Sequence, residues 1–260
     1  MMRLALLGLC GVLAGCAGPS PRGPTLTPTA HTDFAHDTLA LTWQPGFCAT
    51  GSGCLPDQPH NLSIGLHGLW ASEPHALEAK NIPVQTWWRQ GCDLYDHDDQ
   101  PPVLQSVTQA GIAAVMPHLK SPLHVHEYTK HARCFGYPAD RFFVTSMQLR
   151  SRLAASGFGL WLAQQAGFQV RREDILSTFA QMTGATQPRA LQLRCEPDAA
   201  TKQPVLTQLW FTLDPARLNS FPAGTSYLPS PDDQNGCPAS FLVPGWPLQA
   251  VVGTQAVQRP

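Results

Sequence analysis

Apolar and polar residues alternate in segments near both ends of the chain. Residues 39–43 (LALTW) and 62–66 (LSIGL) show the period of two that predicts strands, and the second runs into His67-Gly68-Leu69-Trp70. Residues 190–194 and 205–213 show the same alternation and predict two later strands.

Between these segments the apolar residues recur at helical spacing. We predict helices over residues 103–116, 121–136, 140–155 and 172–182. In the second helix, Ser121 suits the N-cap, Pro122 the first helical position and Gly136 the end. Because helices occupy the middle of the chain and strands its ends, the pattern predicts the α+β class rather than alternating α/β.

The composition excludes several classes of protein. The chain has 260 residues, of which 43% are hydrophobic and 13% charged, and its formal net charge is −1. This length suits one sizeable domain with a hydrophobic core. The lack of net positive charge argues against tight electrostatic binding of duplex DNA. No apolar run reaches the ~20 residues of a membrane span, which excludes a multi-pass membrane protein.

The first residues have the features of a secretory signal. A basic start at Arg3 precedes the apolar residues 4–14 and then Gly15-Cys16. Residues 13–16 (LAGC) resemble the lipobox of bacterial lipoproteins, which implies a signal peptide over 1–15 and a lipid on Cys16. In such lipoproteins Ala17 favours the outer membrane. The alternative is a soluble secreted protein that is cleaved nearby.

Residues 17–33 are rich in Pro, Thr, Ser and Gly. Such a segment buries little apolar area, so we expect the lipidated Cys16 and the residues up to 33 to form a disordered tether. Residues 34–260 are then predicted to be a single domain that carries six cysteines. An even number of cysteines in an exported chain predicts three disulfides, for which 15 pairings are possible.

Residues 126–134 (HEYTKHARC) hold the densest set of reactive side chains in the chain. On a helix, His126, Glu127, Lys130, His131 and Cys134 would project within about 140° of one another. A second candidate group lies at the end of a predicted strand, where His67 is followed by Gly68 and Trp70. Two histidines with a pKa near 6.5 can share the general-base and general-acid roles at mildly acidic pH.

Two other interpretations of this helix compete with an acid–base site. A zinc protease places two histidines four residues apart, whereas His126 and His131 are five apart and Lys130 would repel a dication. We therefore expect no metal ion and no other cofactor. The second alternative is a solvated surface in which Glu127 and His131 form an i,i+4 pair.

These segments together resemble the ribonuclease T2 family of secreted, metal-independent endoribonucleases. His67–Trp70 (HGLW) and His126–Cys134 (HExxKHxxC) resemble its two active-site segments. Residues 43–48 (WQPGFC) and 87–92 (WWRQGC) resemble its first strand and its mid-chain cysteine. The resemblance implies a mostly antiparallel central sheet packed with helices. It also implies the disulfides Cys48–Cys54, Cys92–Cys134 and Cys195–Cys237.

The resemblance also implies a role for each residue of the site. His131 would be the general base and His67 the general acid, while Glu127 and Lys130 stabilise the phosphorane. His126 would hold phosphate and Trp70 would stack on a base of single-stranded RNA. DNA would not be cleaved because it lacks the 2′-hydroxyl nucleophile, and we expect a monomer. A catalytically idle member that binds RNA or protein is the alternative. Ala132-Arg133 stand where the family usually has Gly-Thr; this departure removes no proton-transfer group, and the resemblance therefore does not extend to base preference or to the shape of the substrate groove.

Overall fold

The computed structural model describes residues 24–96 and 100–247, which form eight α-helices and six strands. The strands are β1 (Asp37–Trp43), β2 (Ile64–Ala71), β3 (Phe168–Arg171), β4 (Leu191–Pro197), β5 (Pro204–Leu213) and β6 (Ser240–Val243). The helices are α1 (Gln44–Ala49), α2 (His75–Glu78), α3 (Val84–Gln90), α4 (Ser106–Val115), α5 (Leu123–His131), α6 (Ala139–Ala154), α7 (Gly157–Gln164) and α8 (Arg172–Thr183).

The six strands form one sheet in the order β2-β1-β5-β6-β3, with β4 also paired to β5. Every pair is antiparallel except β5 with β6, which pair in parallel at one position. The prediction of an α+β fold with a mostly antiparallel sheet is therefore confirmed. The central position of β1 explains why its residues Leu39, Leu41 and Trp43 are completely buried.

A β-bulge in β2 changes the face of the sheet on which the His67 side chain lies. Gly68 pairs with Ala40 of β1 and Leu66 pairs with Leu41, so His67 is an extra residue without a partner in the ladder. In a regular strand, residues three apart point to opposite faces. Because of the bulge, His67 and Trp70 lie on the same face, with ring centroids 5.6 Å apart.

The hydrophobic core lies between the sheet and the helices. Buried aromatic residues of the helices, among them Phe142 and Phe158, join Leu66 and Phe211 of the sheet in one cluster. Helix α6 is also tied to β2 by a polar contact, because the buried Arg150 Nε donates to the backbone oxygen of Ile64 at 2.7 Å. This packing holds β2, and with it His67, in a fixed position.

The three disulfides join Cys48 to Cys54, Cys92 to Cys134 and Cys195 to Cys237. These are the pairs that the family resemblance implied. No helix within residues 24–96 and 100–247 is long and apolar enough to cross a membrane. The predicted signal peptide and the lipid site at Cys16 lie outside the described residues.

The prediction of a disordered tether up to residue 33 is wrong for its described part. Leu26 is 8% exposed and belongs to the hydrophobic core. The backbone N–H groups of Thr29 and Ala30 both donate to the carbonyl oxygen of Phe135, at 2.9 and 3.1 Å. One apolar anchor and these backbone hydrogen bonds order a segment whose composition alone predicts disorder, so the packed part of the chain begins before Phe34.

The predicted helix over 121–136 is shorter in the structure. It begins after Pro122, which is the N-cap and makes no side-chain capping bond, so the predicted cap at Ser121 is wrong. It ends at His131, and a separate 3₁₀ helix over Arg133–Phe135 leads to Gly136, whose φ is 71°. Consequently Cys134 lies beyond the helix and does not share its face.

Candidate active site

Helix α5 packs beside β2 and brings the two predicted groups of reactive residues together. His67 comes from the bulge of β2, while Glu127, Lys130 and His131 come from α5. All four side chains line one cavity of about 850 Å³, and the predicted substrate-binding residues His126 and Trp70 line it as well.

Glu127 is the buried centre of this group and is only 1% exposed. Its Oε2 accepts a hydrogen bond from the indole N–H of Trp70 at 2.6 Å, and its Oε1 lies 3.4 Å from Nε2 of His67. Burial raises the pKa of this carboxyl group, but the neighbouring His67, His131 and the Trp70 N–H outweigh burial and lower it to about 2. Glu127 is therefore a carboxylate at every pH at which the site could act.

Gly68 allows this carboxylate to approach β2. A Cβ atom at position 68 would lie 2.0 Å from Oε2 of Glu127 and 2.6 Å from Nε1 of Trp70. Both distances are shorter than any van der Waals contact, so only glycine leaves room for the Glu127–Trp70 hydrogen bond. Gly68 thus permits a close approach of the Glu127 carboxylate to the backbone of β2.

His131 does not have the pKa near 6.5 that was expected of both histidines. Burial lowers its pKa, and the charges of Lys130, His126 and His67 lower it further, while Glu127 raises it. The net pKa is about 4. The imidazole of His131 is consequently neutral at mildly acidic pH, which is the form that can accept a proton.

His126 and Lys130 lie on the side of α5 that opens into the cavity. His126 is exposed, and its ring centroid lies 6.1 Å from that of His131. Donor atoms of His126, Glu127 and His131 lie within 4.8 Å of one another, close enough to hold a metal ion. The five-residue spacing is therefore a weaker argument against a metal than expected, although the adjacent ammonium of Lys130 still opposes a dication.

Trp70 belongs to a cluster of rings beside Glu127. Its ring lies 5.2 Å from those of both His131 and Trp210, and Arg194 lies 4.7 Å from the centroid of the Trp210 ring. Because the indole N–H of Trp70 donates to Glu127, Trp70 helps to position this carboxylate. The sequence did not indicate this role.

The disulfide Cys92–Cys134 holds the end of α5. The backbone N–H of Cys134 donates to Sγ of Cys92 at 3.1 Å. A Cβ atom at Gly91, whose φ is 54°, would lie 2.2 Å from the backbone oxygen of Lys130. The segment before Cys92 therefore lies directly against the last turn of α5, where Lys130 and His131 are.

The sequence did not indicate several residues that line the same cavity. They come from the start of β1, from the segment after β2, from α3, from β4 and β5, and from the loop before Cys237. Examples are His36, Glu73, Trp88, Gln192, Arg194, Trp210, Asp232 and Asp233. No motif marks them, because they are separated in the chain and meet only when the sheet forms.

The amino-acid sequence is similar to those of known proteins. A sequence model of the ribonuclease T2 family matches residues 34–222. Ribonuclease I of Escherichia coli (strain K12) is 29% identical over 236 residues, which cover 81% of this chain and 86% of the relative.

Solved structures share the fold at low sequence identity. Ribonuclease MC1 from bitter gourd seeds has a TM-score of 0.53 and 18% identity, over 80% of this chain and 100% of that one. RNase NT in complex with 5′-AMP has a TM-score of 0.55 and 17% identity, over 82% of this chain and 98% of that one. At such identities the likeness bears on the fold alone.

Proposed function

Because this chain belongs to the ribonuclease T2 family, it is a T2-type endoribonuclease, and we propose that it cleaves single-stranded RNA by transphosphorylation without a metal ion or cofactor. The observation that carries this mechanism is the meeting of His67, Glu127 and His131 in one cavity, with His131 held neutral.

In the first step, His131 accepts the proton of the ribose 2′-hydroxyl. The 2′-oxygen attacks the phosphorus atom, and the bond from phosphorus to the 5′-oxygen breaks. A base must be unprotonated to act, and the lowered pKa of His131 leaves its imidazole free at mildly acidic pH.

His67 donates the proton that the departing 5′-oxygen takes up. Its Nε2 lies 3.4 Å from Oε1 of Glu127, so a carboxylate faces the ring of the proposed acid. The products are a 2′,3′-cyclic phosphate and a free 5′-hydroxyl. Water then opens the cyclic phosphate to a 3′-phosphate in a slower reaction.

Lys130 acts on the phosphorane that forms between these proton transfers, whereas the carboxylate of Glu127 acts through the imidazole of His67 beside it. The ammonium of Lys130 stabilises the charge on the non-bridging oxygens, and His126, at the open side of the cavity, holds the phosphate. Trp70 orients Glu127 and offers its remaining surface to a base. DNA has no 2′-hydroxyl and is not a substrate.

The mechanism is tested with purified protein and three substrates in EDTA at mildly acidic pH. The substrates are RNA, DNA and RNA blocked by a 2′-deoxy group at the cleavage site. We expect cleavage of the unblocked RNA only. Loss of cleavage in EDTA would instead indicate a metal held by His126, Glu127 and His131, and no cleavage would favour a protein that only binds RNA.

Two variants test the roles of the histidines. His67→Ala and His131→Ala should each abolish turnover, whereas the matched control His75→Ala, an exposed histidine outside the cavity, should retain it. Wild-type turnover in either of the first two variants, with the fold intact, contradicts the roles proposed here.

The location of the protein is a separate part of the proposal. Disulfides are typical of proteins that fold outside the cytoplasm, and the three found here suggest an exported protein. We propose that the chain is a monomer anchored to the outer membrane by a lipid on Cys16. A mass spectrum of the mature amino terminus tests the anchor, because an unmodified terminus elsewhere in the chain would contradict it.

A further inference from the structure

The active-site helix α5 ends at its reactive residues. It has nine residues, and His131 is the last of them. A helix of this length is marginal by itself in water, and the carbonyl groups of its last turn have no partners within the helix. The following residue, Ala132, has a φ of −130°, so the left-handed turn that commonly ends a helix is absent at this position. Lys130 and His131 therefore depend on contacts from outside α5 to keep their positions.

Some of these contacts come from residues 24–33, which we call the strap. The strap precedes residues 34–222, which match the family model. Near its start, Leu26 is 8% exposed and belongs to the hydrophobic core. At its end, Oδ2 of Asp33 accepts a hydrogen bond from the backbone N–H of Ala76 in α2, at 2.7 Å. Both ends of the strap are thus fixed to the body of the protein.

The middle of the strap lies against the residues that follow α5. The backbone N–H groups of Thr29 and Ala30 donate to the carbonyl oxygen of Phe135, which is four residues after His131. Oγ1 of Thr29 also donates to the backbone oxygen of Gly136, at 3.4 Å. A Cβ atom at Gly136 would lie only 1.9 Å from this Oγ1, so the two segments are in direct contact.

The strap also contacts the other segment that the disulfide Cys92–Cys134 joins. The ring of His31 stacks on that of Tyr95, with centroids 3.7 Å apart. The backbone N–H of Tyr95 in turn donates to the carbonyl oxygen of Cys92, at 3.0 Å. One covalent bond leaves two segments free to turn relative to each other, whereas a strap that contacts both of them fixes their orientation.

Resting on the cleavage mechanism proposed above, we propose that the strap is a positioning element of the active site, which holds the end of α5 so that Lys130 and His131 face the cavity opposite His67. None of residues 24–33 lines the cavity, so the strap supplies no group to the reaction itself. It acts through Phe135 and Tyr95, one on each side of the disulfide.

The first test changes the core anchor of the strap in the full-length chain. Leu26→Ala should lower kcat about tenfold with little change in KM, because a small displacement of catalytic groups slows the chemical step. Leu26→Met, which keeps the volume, should retain the wild-type kcat. The matched control is Leu162→Ala, a fully buried leucine of α7 outside the strap and the cavity. It should lose comparable stability but keep its kcat.

A second pair of variants leaves the core intact. His31→Ala removes the ring that stacks on Tyr95, and His31→Phe keeps a ring at the same position. His31 is only partly buried, so both proteins should fold. We expect His31→Ala to lower kcat several-fold, in the same direction as Leu26→Ala, and His31→Phe to restore it.

NMR titration of His131 gives a readout that does not depend on turnover. A loosened α5 admits water, so in Leu26→Ala the pKa of His131 should move from about 4 toward the ordinary 6.5. The charged groups that face His131 are Glu127, Lys130 and His126 of α5 and His67 of β2, and all of them remain in these variants.

The outcomes separate the strap from the chemistry. Wild-type kcat and an unshifted titration of His131 in Leu26→Ala and His31→Ala would overturn the proposal, as would an equal loss of kcat in Leu162→Ala. A wild-type protein that cleaves no RNA, but in which the titration of His131 shifts as expected in Leu26→Ala, would refute the cleavage mechanism and leave the role of the strap standing.

Discussion

The low pKa of His131 predicts how activity depends on pH. If His131 is the base, kcat/KM falls about tenfold per unit as pH decreases through about 4, where the imidazole becomes protonated. At pH 5, roughly nine-tenths of the molecules would hold a neutral His131, against about 3% for an ordinary histidine with a pKa of 6.5. The structure therefore predicts about 30-fold more active base at pH 5 than the ordinary pKa would allow.

Two variants test which neighbouring charges change the pKa of His131. Lys130 lowers the pKa of His131 and Glu127 raises it. Lys130→Ala should therefore move the titration of His131 to higher pH, and Glu127→Gln should move it to lower pH. His126 and His67 also lower the pKa of His131, and both residues remain in the two variants.

The assay combines two readouts. Initial rates on a dinucleoside monophosphate between pH 3 and 8 give the acid limb of kcat/KM, and circular dichroism at each pH verifies that the protein is folded. NMR titration of the imidazole resonances follows His131 even in variants with little activity, with His131→Ala identifying its signal. An acid limb near pH 6.5, or shifts of the same sign in Lys130→Ala and Glu127→Gln, would refute this explanation.

Three further changes test other parts of the structure. Gly68→Ala should reduce kcat about 10²-fold, because its Cβ would lie 2.0 Å from Oε2 of Glu127; wild-type kcat in a folded variant would contradict this. Burial raises the pKa of Asp37 to about 7, so the folded protein loses stability as pH rises from about 4 to 7. In urea unfolding, the free energy of unfolding of Asp37→Asn relative to the wild type should increase by up to about 4 kcal/mol from pH 4 to pH 8. A difference between the two proteins that does not change with pH would exclude this cause. Replacing Cys92 and Cys134 by alanine opens a loop between residues 42 apart and should cost about 4 kcal/mol of unfolding free energy. Activity should fall as well; full activity of the folded double variant would show that the disulfide does not position α5.

Much of the fold follows from local patterns in the sequence. The alternation at residues 39–43 and 205–213 predicts β1 and β5, which lie side by side at the centre of the sheet. The short strands β3 and β6 were missed, as was α7, because segments of four to eight residues show too few periods to be recognised. The two motifs around His67 and His131 indicated the chemistry, since side chains of these types at these spacings rarely occur together by chance.

What the sequence determined by itself is the set of reactive groups, the class of fold and, through a family resemblance, the pairing of the cysteines. These depend on residue type and spacing along the chain. Only the tertiary structure decided that a bulge turns His67 toward Trp70, that burial lowers the pKa of His131, and that the indole N–H of Trp70 donates to Glu127. The physical reason is that register, solvent exclusion and hydrogen-bond satisfaction are set by residues distant in the chain, and no local pattern records them.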